Sequence, residues 1–105
     1  MSTLRLDHPH TLTADQARDR VRALGDYLQN KYGVGVRWTG ENTATIQGKY
    51  LVISFEGAVT VGAGQVTLEA KDPGMLWRTK AREYLDGKLK KYLDPATPLD
   101  ALPRR

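Results

Sequence analysis

The apolar positions follow two different periods. Ala17, Val21, Leu24 and Leu28 recur at spacings of three and four, which makes one stripe along a helix. Thr13 and Gln16 have the spacing of a capping box, Leu12 stands at the staple position opposite Ala17, and Gly33 supplies a stop. The predicted helix runs from Ala14 to Tyr32, with Arg18, Arg20 and Arg22 and the acidic Asp15, Asp19 and Asp26 on its flanks and solvent face.

Beyond Gly33 the period changes to two. Val34, Val36 and Trp38 share a face, and Ala44 and Ile46 alternate with threonines in a second strand ending near Gly48 and Lys49. A third strand sets Leu51, Ile53 and Phe55 against Tyr50, Val52, Ser54 and Glu56; Gly57 then separates it from Val59 and Val61. Gly62-Ala63-Gly64 turns the chain into Val66, Leu68 and Ala70. Leu4 to Asp7 also alternate and predict a short edge strand ended by Pro9, which cannot donate a ladder hydrogen bond.

Asp72 and Pro73 have the form of a helix start, and Trp77, Ala81, Leu85, Leu89 and Tyr92 or Leu93 supply the stripe of a second long helix. Gly87 interrupts it and is expected to mark close approach to the sheet. Short connections between strands favour antiparallel pairing, since parallel neighbours need a long crossover. The predicted fold is α+β, in the order β-α-β-β-β-β-α: an antiparallel four- or five-stranded sheet with both helices packed on one face. Residues 1–94 should form a single domain, and 95–105, with three prolines, an irregular tail.

Composition narrows the function more by exclusion than by assignment. With no cysteine, there are no disulfides and no thiolate chemistry. No apolar run is long enough for a membrane span or a secretory signal, so the expected compartment is the cytoplasm. The formal charge of +4 favours acidic partners without choosing among them.

Candidate chemistry is sparse. His8 and His10 lack the further ligands that a metal site needs, and His10, just ahead of the helix cap, reads as a loop-ordering residue. Glu41, Glu56, Glu69 and Glu83 fall on separate elements, Ser54 lacks a nucleophile elbow, and the glycines lack phosphate-loop spacing. No catalytic residue, metal or cofactor is expected, and the chain does not read as an enzyme.

The second helix is basic: Arg78, Lys80, Arg82, Lys88, Lys90 and Lys91 are candidate surface-binding residues, with their stems able to cover apolar area. Nucleic acid is a weaker reading, because it would need these cations to converge with a ring such as Tyr50 or Tyr84. Trp38, Phe55 and Trp77 are candidate lining residues for a cavity between sheet and C-terminal helix, in which case a small-ligand carrier or enzyme is the alternative. An open sheet face or edge leaves homodimerisation as a further reading.

Several segments together resemble the bacterial polyhydroxyalkanoic acid system family: His10-x-Leu12-x-x-x-x-Ala17, Leu24-x-x-x-Leu28 before Gly33, Val36-x-Trp38-x-Gly40, Gly57-x-Val59-x-Val61, and Ala81-x-x-x-Leu85-x-x-x-Leu89-x-x-x-Leu93-Asp94. The similarity covers Leu4 to Asp94; Gly48 to Ser54 is longer than the family pattern needs, and the tail lies outside it. The resemblance implies an intracellular, noncatalytic protein associated with storage-polyester granules or their coat proteins, and it supplies no active-site residue to carry over.

Overall fold

The computed structural model describes residues 3–50, 53–71 and 74–104, with the side chains of Thr3, Tyr50, Ile53, Phe55, Met75 and Leu76 outside that description. Five strands form one antiparallel sheet: β1 (Thr3–Pro9), β2 (Gly35–Trp38), β3 (Thr43–Tyr50), β4 (Ile53–Gly62) and β5 (Gln65–Lys71), in the spatial order β1-β5-β4-β3-β2. Helix α1 (Ala14–Tyr32) joins the two edge strands, and α2 (Met75–Tyr92) follows β5. The predicted element order is the observed one.

Local sequence explains most of these boundaries. Thr13 and Gln16 form both halves of the capping box, and Gly33 closes α1 in the left-handed conformation, φ 73°, donating its amide to the Gln29 carbonyl. In the sheet, Leu6, Leu68, Val59, Ala44 and Trp38 lie in one cross-strand row, and Leu4, Ala70, Gly57, Ile46 and Val36 in the next. Both rows face the helices, whereas Arg5, Asp7, Thr45, Thr60 and Glu69 face outward and are exposed.

Gly57 does not separate two strands as expected, because β4 runs straight through it. It serves a close approach instead: a Cβ there would lie 2.6 Å from the Glu69 carbonyl oxygen of β5. β3 likewise continues past Gly48 to pair Tyr50 with Ile53. Leu51 and Val52, read as part of a strand, lie outside the described residues, as do Asp72 and Pro73; the cap of α2 is Gly74, at φ 106° and with no side-chain cap bond.

The largest difference from expectation is the C-terminal segment. After Asp94 the chain forms a short 3₁₀ turn (Leu99–Ala101) and returns along α1, with Leu102 only 4% exposed in the core cluster. Tyr92 donates its hydroxyl proton to the Pro103 carbonyl, Asn30 bonds the Arg104 carbonyl at 2.8 Å, and Arg104 pairs with Asp26 at 2.6 Å. Leu99 and Leu102 are apolar enough to anchor this proline-bearing segment, which therefore packs over α1 instead of trailing from the domain.

Helix α1 is also buried beyond the predicted stripe, on the side where Tyr27 meets the Tyr92 ring of α2. Ala23 is fully buried and Tyr27 is 8% exposed, although neither belongs to the Ala17–Leu28 row. Arg20, expected on the solvent side, is 8% exposed and donates to the carbonyls of Tyr92 (3.1 Å) and Asp94 (2.8 Å), satisfying acceptors at the end of α2. Its spacing from Ala23, Leu24 and Tyr27 was the sequence signal for this position.

Candidate functional site: an aromatic and lysine seam between the helices

Helices α1 and α2 lie side by side on the inner face of the sheet, and among the described side chains of α2 the buried ones lie toward its C-terminal end. Leu89, Tyr92 and Leu93 are at most 3% exposed, Leu85 is half-buried, and Trp77 and Tyr84 are each 37% exposed. Since the two rings stand seven residues apart, two helical turns, they share one flank of α2.

Lysines interleave with these rings. The Lys80 ammonium lies 5.7 Å from the Trp77 ring centre, and that of Lys88 lies 5.5 Å from Tyr84 and 4.4 Å from Tyr27. From α1, Lys31 reaches Tyr27 at 5.3 Å and Tyr32 at 5.6 Å. All are distances at which a cation is attracted to a ring face. Tyr32 and Tyr84 meet edge to face with their hydroxyls 3.1 Å apart.

The phenols are not equivalent. Lys31 Nζ donates to the Tyr27 hydroxyl oxygen at 2.9 Å and Lys88 Nζ at 3.4 Å. The bond from Lys31 is the main cause holding the Tyr27 phenol below its ordinary value, with partial burial opposing and Lys88 assisting. Lys31 is raised in return, chiefly by the same bond. Burial of its hydroxyl end pushes Tyr84 well above the ordinary phenol range, with the Tyr32 bond adding to the shift; burial also raises Tyr92.

The six predicted surface cations do not form one patch. Lys80, Lys88 and Lys91 fall on the flank carrying Trp77 and Tyr84, with Lys88 half-buried in the seam. Arg78 and Arg82, seven residues before Leu85 and Leu89, lie in line with the core-facing row but are exposed, and Lys90 falls on the outward side. Tyr27, Tyr32 and Lys31 were missed because they belong to α1, and sequence periodicity within one helix does not show its neighbour.

The predicted cavity is also elsewhere. A groove of about 560 Å³ lies between α1, β2 and the C-terminal segment, lined by Arg22, Asp26, Val36, Trp38, Leu99 and Arg104 among others. Trp38 lines it, with the Arg22 guanidinium 5.0 Å from its ring centre, whereas Trp77 stands on α2, away from it. The Phe55 side chain lies outside the described residues. Leu89 and Tyr92 pack into the core beneath the second half of α2.

The histidines are structural or peripheral. His10 Nε2 bonds the Gly62 carbonyl at 2.8 Å while its Nδ1 accepts from the Leu12 amide at 3.0 Å, which fixes the tautomer and the approach to α1. His8 Nδ1 meets Asp86 of α2 at 3.3 Å. Among the described residues, no cluster of three acidic or histidine side chains could hold a metal ion, and no helix is long and apolar enough to cross a membrane.

The chain matches a family model across residues 4–96, under the description "Putative polyhydroxyalkanoic acid system protein". The chain belongs to that family. No curated protein and no solved structure matches it.

Proposed function

We propose that this protein is a noncatalytic cytoplasmic component of the polyhydroxyalkanoic acid system that associates with storage-polyester granules or their coat proteins. The observation that carries this reading is one flank of α2, where Trp77 and Tyr84 are the large hydrophobic side chains left exposed among the described residues, flanked by Lys80, Lys88 and Lys91. A polyester surface offers apolar methylene and ester groups to the rings, and carboxylate chain ends or acidic coat proteins to the lysines.

Magnitudes favour reversible binding. Burying roughly 100 Å² of apolar ring surface contributes about 2.5 kcal/mol, less than the loss of translational and rotational freedom on association. Neighbouring lysines and the coverage of additional surface have to supply the remainder, so attachment should weaken with salt.

Co-sedimentation with isolated granules tests this. Wild-type protein should pellet with granules, and the Trp77→Ala/Tyr84→Ala double variant should remain in the supernatant while keeping its fold. Granules stripped of protein separate the two partners, since capture only by coated granules would identify a coat protein. Wild-type protein that stays soluble with both preparations would refute the reading.

A further inference from the structure

We propose that Lys31 and Lys88 form a carboxylate-binding site at the α1–α2 seam, suited to the acid end of a hydroxyalkanoic acid whose acyl chain lies along Tyr84 toward Trp77. The proposal rests on the granule reading for the identity of the acid. The site itself rests on geometry.

Two ammonium groups from different helices converge on one atom, the Tyr27 hydroxyl oxygen, at 2.9 and 3.4 Å. Among the described residues, the ion pairs shown do not join either lysine to a carboxylate that would offset their mutual repulsion. A lysine carries three donors, so each retains hydrogen-bonding capacity beyond its bond to Tyr27. A carboxylate has two oxygens and one negative charge, which lets it bridge the pair with one oxygen on each cation.

The surroundings fit the rest of such a molecule. The Tyr32 and Tyr84 hydroxyls, 3.1 Å apart, lie beside the lysines and can exchange hydrogen bonds with an alcohol. The exposed Tyr84 and Trp77 rings offer apolar faces for the acyl chain along α2, between the Lys88 and Lys80 ammonium groups. By contrast, the groove beside β2 sets Asp19 and Asp26 against Arg22 and Arg104, so its own carboxylates balance its cations.

The probe is 3-hydroxyoctanoate, titrated into the full chain while the tyrosine ring resonances are followed by NMR. Saturable shifts centred on Tyr27 and Tyr84 are expected, with affinity falling at least tenfold in the Lys31→Met/Lys88→Met variant, which keeps the apolar stems. Equal binding of the neutral methyl ester, equal binding by the Lys variant, or equal displacement by inorganic phosphate would each overturn carboxylate recognition.

Granule capture distinguishes free acid from polymer ends. Competition of soluble acid with granules for wild-type protein indicates chain-end recognition, whereas acid binding without granule capture keeps the site, assigns it to free acid and refutes the granule reading. Capture of granules without acid binding removes the site and leaves the granule reading intact.

Discussion

The two helices use the same apolar spacing for different ends. α1 begins with a complete capping box, ends at a left-handed glycine and is enclosed by sheet, α2 and the C-terminal segment. α2 begins at Gly74 without a side-chain cap, and its described side chains in the core are Leu85, Leu89, Tyr92 and Leu93. Their internal glycines differ in the same sense. A Cβ on Gly25 of α1 would touch Val36 at 3.4 Å, whereas one on Gly87 of α2 would meet nothing within 4 Å, so the close approach expected at Gly87 occurs at Gly25. A helix that leaves both Trp77 and Tyr84 partly exposed has ring surface available for a partner.

The strongest way to break this contrast is to exchange its terms through core deletions. Leu24→Ala in α1 and Leu89→Ala in α2 should each cost about 3 kcal/mol, whereas Trp77→Ala should cost under about 1 kcal/mol; urea unfolding measures all three. A Trp77→Ala loss equal to that of Leu89→Ala would mean that Trp77 is core after all. Gly57→Ala should destabilise by about 1–3 kcal/mol through overpacking against β5, because a backbone carbonyl cannot move aside as a flexible side chain can.

Removing the anchor of the third layer is next in size. Leu102→Ala should cost about 2 kcal/mol and increase amide exchange around Asp26 and Asn30, the positions of α1 that the segment bonds. Unchanged stability would return the C-terminal segment to the loose tail its prolines suggest.

The seam offers a titration. Tyr27 is held below, and Tyr84 and Tyr92 above, the ordinary phenol value of 10.0. The folded state therefore favours the Tyr27 phenolate, and that contribution is fully present only above the ordinary value and is lost as pH falls through the lowered one. Tyr84 and Tyr92 act oppositely: their contribution is complete below the ordinary value and fades as pH rises toward their raised ones. Phenolate absorbance should show an early phase below pH 10 that disappears in Tyr27→Phe; an early phase that survives would contradict the Lys31 bond. The smallest effect belongs to Gly87→Ala, which should stabilise α2 by about 0.5–1 kcal/mol in thermal unfolding.

What was legible in the sequence was whatever the nearest neighbours along the chain decide. The capping box at Thr13, the stop at Gly33 and the alternation of β1, β2 and β5 were of this kind, and they sufficed for the element order. The burial of Arg20, the docking of Leu102 and the convergence of Lys31 with Lys88 each join residues more than 50 positions apart, and no periodicity within one element reports them. The stripe of α2 misled for the same reason: Trp77 continues the spacing of Leu85 and Leu89, but burial requires a surface opposite, and that depends on where α1 and the sheet end. Of the candidate site, Lys80, Lys88, Lys91 and Trp77 could be read from α2 alone, and Tyr27, Lys31 and Tyr32 on α1 could not.

The most direct test is amide hydrogen exchange of the full chain with and without native granules. Added protection confined to α2 from Trp77 to Tyr84 and to the adjoining end of α1 is the predicted result. Protection appearing instead around Trp38 and Leu99 in the groove, with α2 unchanged, would contradict the assignment of the exposed flank of α2 as the binding surface.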